Sequence, residues 1–195
     1  MRQFQEDRRK LKELILYISQ DYESDPNYGS THLNKLLFFA DFLSYAKYGR
    51  PITGAEYVRE RHGPVPSAVR LGYNSPVQEL VREGRARINT TTIAIPGTRK
   101  TGKRITPVAV RPPDMSVFSE QELELINAVL GSFRDLTAGW ISKYTHEFAG
   151  WHVVALNEKI PYETIFVSPD QRQSEHIQRR GLELAREHGW LAGKS

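Results

Sequence analysis

Apolar residues recur at helical spacing along most of this chain. Residues 4–22 place Leu11, Leu14, Ile15 and Ile18 on one stripe, which predicts a first amphipathic helix. A polar turn follows, Asp25-Pro26-Asn27-Tyr28-Gly29, and Ser30 or Thr31 can cap a second helix running to about Tyr48 and stopping at Gly49. That second helix is apolar on both sides. At about 100° per residue Leu33, Leu36, Leu37, Ala40 and Leu43 share one face, and Phe38, Phe42 and Tyr45 lie opposite, joined by Phe39 and Ala46. A two-sided helix of this kind belongs at the centre of a fold. Its aromatics are expected to be core residues, because so much apolar surface is seldom left in water. Lys35 falls at the angle of Phe38 and Phe42, and its stem is expected to carry the ammonium out to the surface, with burial in a pair as the alternative.

Arg50-Pro51-Ile52 ends that helix, and Ala55 to Arg59 reads as a short strand. Pro64 and Pro66 are expected to open a further helix, interrupted near Gly72 to Asn74 and restarted by Ser75-Pro76 as cap and first residue, with Gly84 ending it. Two β-like runs, Ala86 to Ile95 and Arg104 to Val110, flank the loop Pro96 to Gly102 and predict a hairpin. Arg111-Pro112-Pro113-Asp114 resembles a linker. Ser119 with Glu122 forms a capping box before a stripe of Leu123, Ile126, Leu130 and Phe133. Thr137 can start another helix reaching about Phe148. Trp151 to Val167 reads as mixed and extended, kinked at Pro161, and Asp170 can cap a last helix. Helices dominate over a small antiparallel sheet. The expected class is α+β, a mainly helical single domain built round a central apolar helix with a small antiparallel β-hairpin.

Composition narrows the possible chemistry. Cysteine is absent, which excludes disulfides, cysteine–zinc sites, iron–sulfur clusters and thiol catalysis and agrees with a reducing, cytoplasmic setting. The longest apolar run, Leu36 to Ala40, is far too short to span a bilayer, and Met1 to Asp7 has no signal-peptide core. The basic excess is local. Residues 82–104 hold seven basic side chains and one acidic, whereas the remainder holds 20 basic and 22 acidic. Arg85, Arg87, Arg99, Lys100, Lys103 and Arg104 are therefore candidate contacts for an acidic partner or a nucleic acid. A solvated basic loop is the plain alternative.

Candidate catalytic motifs fail on context. Gly97 to Arg104 imitates a phosphate-binding loop, but Arg104 stands where a magnesium-binding hydroxyl is needed, and β-branched residues follow in place of a helix. His146-Glu147 begins like a zinc-protease helix, yet Gly150 occupies the second ligand position and His152 leaves the helical face. His32, His62, His176 and His188 are scattered. No nucleophile elbow and no singled-out acid–base pair appear. A helix pair (120–133 and 137–148) beside a basic hairpin has the parts of a winged helix, with Lys143, Tyr144 and His146 facing a groove. In that fold, however, the wing normally follows the recognition helix.

Three segments carry a family resemblance. Leu33-Asn34-Lys35-Leu36-Leu37-Phe38-Phe39-Ala40-Asp41, preceded by His32 where a lysine leads the pattern, resembles the helix signature of the Panacea domain, the family of SocA-like antitoxins and phage-associated GepA-like proteins. His62-Gly63-Pro64-Val65 resembles its Tyr-Gly-Pro-Val corner, and Thr145-His146 with Trp151 resembles its closing segment. The resemblance spans about 31–152. Two departures stand out: the charged Arg59-Glu60-Arg61, where the family is less charged and often has a tryptophan, and the basic hairpin. The implied organisation is an N-terminal helix extension over 1–30, a Panacea-like domain over 31–168 containing the basic hairpin 85–110, and a C-terminal helix over 169–195. The implied function is an antitoxin that holds a cognate toxin in an inactive complex, without catalytic residues, metal or cofactor. A DNA-binding regulator using the hairpin is the alternative, and a homodimer is compatible with either.

Overall fold

The computed structural model describes residues 4–70, 74–94 and 97–167. The interruption expected near Gly72 lies mostly outside them, and the C-terminal helix expected over 169–195 lies wholly outside. The class is α+β: helices are joined by two small antiparallel two-stranded sheets.

The centre is α2, Ser30–Tyr48. It packs against α1 (Arg8–Asp21), α4 (Glu120–Phe133), α5 (Ala138–His146) and the 3-10 turn Tyr162–Phe166. Both its sides are in the core, as its two-faced pattern requires. Leu33, Leu36, Leu37, Phe38 and Phe42 have essentially no exposed surface. Phe38 and Phe42 lie 4.2 Å apart and meet Tyr57 and Phe148 edge-on, and Phe42 packs against Tyr162 at 4.6 Å. On the flank, Phe39 stacks on Phe133 at 4.4 Å. The stripe's last member, Leu43, differs from expectation and is more than a third exposed.

The N-terminal helix packs on this core. Asp7 caps α1 by accepting from the Lys10 N–H, and Leu11, Leu14, Ile15, Leu16 and Ile18 are fully buried. At the start of α2 neither Ser30 nor Thr31 is the cap. Gly29 holds that position in extended geometry and offers no side chain.

The corner departs from the expected helix start. Val65-Pro66 is a strand, β2, paired antiparallel with β1 (Tyr57–Val58) in the register Tyr57 opposite Pro66. A proline disfavours helical geometry in the residue before it, so Val65, ahead of Pro66, is held extended. Helical turning begins only at Ser67, as a 3-10 turn to Arg70. After α3 (Pro76–Arg82), capped by Ser75, β3 (Ala86–Ala94) and β4 (Thr101–Ala109) form the predicted hairpin, with Thr92 opposite Lys103. The phosphate-loop imitation is thus the hairpin's tip and the start of its second strand.

The Ser119–Glu122 capping box is formed in both directions, and Thr137 caps α5 through the Trp140 N–H. Beyond it the expected extended run is partly helical. α6 (Ala149–Val153) comes first, then an extended piece docked on β1 through the Ile160 N–H to the Tyr57 carbonyl, then the turn Tyr162–Phe166 behind Pro161. No helix among the described residues is long and apolar enough to cross a membrane.

Candidate interaction site and the cluster beneath it

The three resembling segments meet around one side chain. Lys35 is 1% exposed, and its Nζ donates to the Pro64 carbonyl at 2.7 Å. The ammonium therefore does not reach the surface. It tethers the central helix to the proline corner. Burial pushes its pKa down to about 7, with Glu60 acting the other way. Gly63 makes the approach possible. Its φ is +96°, and a Cβ there would lie 2.3 Å from Thr145 Oγ1 and 2.8 Å from Lys35 Cε. Only glycine fits between these two side chains.

The closing segment seals the other side. Thr145 is fully buried, and its hydroxyl donates to the Ser142 carbonyl. His146 stacks on Trp151 with ring centroids 4.0 Å apart. Trp151 Nε1 donates to the Glu60 carbonyl at 3.1 Å, and the Arg59 guanidinium lies over the indole at 4.2 Å. Arg59 through its guanidinium and Glu60 through its backbone carbonyl thus hold the tryptophan. Burial chiefly lowers the His146 pKa, and Lys35, His62, His152 and Arg59 add to the lowering. His62 itself is exposed.

Asp41, the last motif residue, forms a second buried node. It is fully buried and accepts from the Thr53 N–H at 2.6 Å, from the Thr53 hydroxyl and from the Tyr57 hydroxyl at 2.8 Å. Burial pushes its pKa up to about 6 against these donors. Leu33, Leu36, Leu37, Phe38, Phe39 and Ala40 are core, Gly63 and Pro64 are buried, and Val65 is half-buried. The motif residues thus mostly support a surface from beneath. Among the described residues no group of three or more histidine or acidic side chains is placed to hold a metal ion. His146 ends α5 and Gly150 lies in α6, so the two positions of the zinc-like motif do not share a helix.

The basic residues divide into two classes. Arg85 donates to both carboxylate oxygens of Glu13 at 2.6 and 2.7 Å, and Glu13 is 3% exposed and also accepts from the Asp114 N–H. Arg104 donates to the Pro26 carbonyl. These two dock the hairpin on the helices. Arg87, Arg99, Lys100 and Lys103 are exposed, and no acidic residue occurs between Arg85 and Pro113.

An aromatic surface lies beyond the motifs. On α5, Trp140 and Tyr144 are 49% and 44% exposed and stack at 5.3 Å with an interplanar angle of 17°. Tyr144 continues inward to Phe39 and Phe133. The helical stripe of α5 runs through Ile141 and Thr145. Trp140 sits off that stripe at i, i+4 from Tyr144, a spacing that sequence reasoning could have used and did not. Ala138, at the start of α5, lines a cleft together with Lys103 and Arg104, so the cationic hairpin reaches the beginning of that helix, on a side turned about 200° from Trp140.

Comparison with known proteins places this arrangement. No curated protein and no solved structure matches the chain. The family model described as antitoxin SocA-like, Panacea domain, matches residues 33–152, more than half of the chain, and its limits run from the first leucine of the buried signature to the residue after the sealing tryptophan. With the corner, the lysine and the closing segment packed as one unit inside those limits, the chain belongs to the SocA-like antitoxin family and carries its Panacea domain.

Proposed function

We propose that this chain is a cytosolic antitoxin that neutralises a cognate toxin protein by direct, occluding contact and performs no catalysis of its own. The family match over 33–152 carries the reading. An exposed aromatic pair supports a place for such a contact. A stable interface buries about 800 Å² per partner and rests on a few aromatic or arginine anchors. Trp140 and Tyr144 are stacked, half-exposed and flanked by Lys143, with Leu43 also exposed on neighbouring α2. They are the anchors, and the hairpin cations are the rim.

Co-expression with the product of the neighbouring reading frame tests this. Growth is restored by the wild-type chain, and the two proteins co-purify. Trp140→Ala with Tyr144→Ala abolishes both while circular dichroism shows the variant still folded, its melting temperature lowered by the lost Tyr144 contacts to Phe39 and Phe133. A neighbour that is not toxic, or toxicity that the chain does not relieve, defeats the reading.

A second reading has its own support, the acid-free hairpin with four exposed cations. On this reading the chain binds DNA at its own operon. Affinity for promoter DNA then falls steeply with salt, because phosphate contacts release counterions. Charge reversal at Arg99, Lys100 and Lys103 that leaves DNA affinity unchanged removes this reading.

A further inference from the structure

The hairpin has two long edges, and among the described residues only one is covered. The Val110 N–H donates to the Arg85 carbonyl, which makes these two a hydrogen-bonded pair. By alternation along an antiparallel ladder, Arg87 with Val108, Asn89 with Thr106 and Thr91 with Arg104 are hydrogen-bonded pairs as well. Pro107, which has no N–H, falls opposite Ile88 in the alternate set, as it must. The backbone N–H and C=O groups of Ile88, Thr90 and Thr92 therefore point away from β4, and those of Lys103 and Ile105 point away from β3. The β4 edge is closed. Pro107 donates nothing there, β4 packs against α1 and α2, and the Ile105 carbonyl oxygen lies 3.2 Å from where a Cβ on Gly29 would stand. The β3 edge is open. β3 meets α3 at its base, but Asn89 to Thr92 are exposed, and among the described residues no backbone-to-backbone hydrogen bond reaches β3 from outside the hairpin. The strand also lacks the usual guards of a free edge: it has no proline, no lysine and no bulge.

We propose that the outer edge of β3 accepts a further strand, an extended acidic segment of a partner protein. A peptide backbone alternates donors and acceptors, so it satisfies both the N–H and the C=O groups that Ile88, Thr90 and Thr92 turn outward. A phosphate backbone offers acceptors alone and leaves those carbonyls without donors, which favours a peptide over a nucleic acid at this edge. Charge selects the peptide. Arg87 lies on β3 itself, Lys103 stands opposite Thr92, and Arg99 and Lys100 sit at the tip, all of them exposed. No acidic residue occurs between Arg85 and Pro113. Arg87 and Thr92 are an odd number of positions apart, so Arg87 and Lys103 stand on opposite faces of the hairpin. The side chains of an added strand alternate between the same two faces, and carboxylates on either face meet a cation. A second copy of this chain satisfies the same backbone groups but sets cation against cation, whereas an acidic strand turns the same charges into attraction. The contact lies on a different element from the aromatic pair of α5 and stands without a toxin.

The test is amide hydrogen exchange, read by nuclear magnetic resonance on the full chain, with a blocked octapeptide of alternating glutamate and threonine. In the free chain the Ile88, Thr90 and Thr92 amides exchange as open backbone, whereas those of Asn89 and Thr91, bonded to β4, are protected. At saturation the peptide slows exchange at the first set by about tenfold or more. The matching peptide of lysine and threonine does not. Neither does the glutamate peptide methylated on every amide nitrogen, which keeps the charge and loses the donors. Thr90→Pro removes one outward donor and leaves the ladder to β4 intact, as Pro107 does on the opposite strand, and it weakens peptide binding about tenfold or more. Outward amides already protected in the free chain overturn the proposal, and so does protection that grows with chain concentration alone, which assigns the edge to a second copy. Equal protection by the methylated peptide, by the lysine peptide or by a DNA duplex overturns it too, as does unchanged binding in Thr90→Pro.

Discussion

A charged ammonium buried as fully as that of Lys35 loses its hydration, and one carbonyl contact does not replace it. That cost fixes a pH dependence for Lys35. Its folded pKa is lowered to about 7, whereas the unfolded lysine titrates at 10.5. Between those values the unfolded chain binds more protons, so stability rises with pH. The contribution is fully present above 10.5 and is lost as pH falls through about 7. Asp41 has the opposite sign. Its pKa is raised from 3.8 to about 6, so its contribution is present below 3.8 and lost as pH rises through about 6. At neutral pH both penalties are in force. Denaturant unfolding at pH 7 and pH 9 checks this. The wild-type chain gains about 2 kcal/mol over that interval, and Lys35→Met is flat across it. The comparison stops at pH 9 because the buried hydroxyls of Tyr22 and Tyr28 are pushed up, and stability is lost again once their unfolded counterparts ionise.

At the scale of elements, the hairpin is anchored at its base by Arg85 and along β4 by Arg104, whereas Arg87, Arg99, Lys100 and Lys103 are exposed. Arg85 sits at its base against a carboxylate that has almost no access to water. Arg85→Met leaves Glu13 buried without its cation, a change of a kind that costs about 3 kcal/mol. Substituting glutamine for Arg87, Arg99, Lys100 and Lys103 changes stability by less than about 0.5 kcal/mol, because exposed charges contribute little. Thermal unfolding of the two variants side by side separates the roles, and equal losses would contradict the division. Sequence placed all six cations in one group, because a charge count carries no information about which guanidinium meets a buried partner seventy residues away. It did identify α2, since a helix with apolar residues on both sides has few places to go. It identified the capping box and the hairpin for the same reason: each is specified within a few residues. It misjudged Lys35, where snorkelling is the usual outcome and only a long-range neighbour, the Pro64 carbonyl, makes burial tolerable. It also read Val65-Pro66 as a helix start, although the rule that a proline restrains its predecessor was available in the sequence. Trp140 lies off the apolar stripe of α5, so the periodicity that locates core residues carries no signal for it.

Across the whole molecule, charge and anchoring surface lie on different elements, the hairpin and α5, and this yields a kinetic expectation for the complex proposed above. The chain has a formal charge of +4, and the four exposed hairpin cations equal that excess. Replacing all four with glutamine brings the formal charge to zero without touching Trp140 or Tyr144. Long-range attraction acts on the encounter, whereas close packing of anchors acts on dissociation. For an acidic toxin, the glutamine variant therefore associates about tenfold more slowly at low salt, and this difference shrinks as screening shortens the range of the field to about 8 Å at physiological ionic strength. Its dissociation rate stays close to wild type. Trp140→Ala does the reverse. Its association rate is nearly unchanged, and its dissociation is faster by an amount corresponding to about 2 kcal/mol or more, the loss typical of an aromatic anchor. Surface-immobilised toxin and the three chains, measured at two salt concentrations, give both rates in one experiment. If the hairpin variant loses affinity through dissociation instead, the cations are packed in the interface and not at its rim. The aromatic pair on α5 would then no longer stand as its centre.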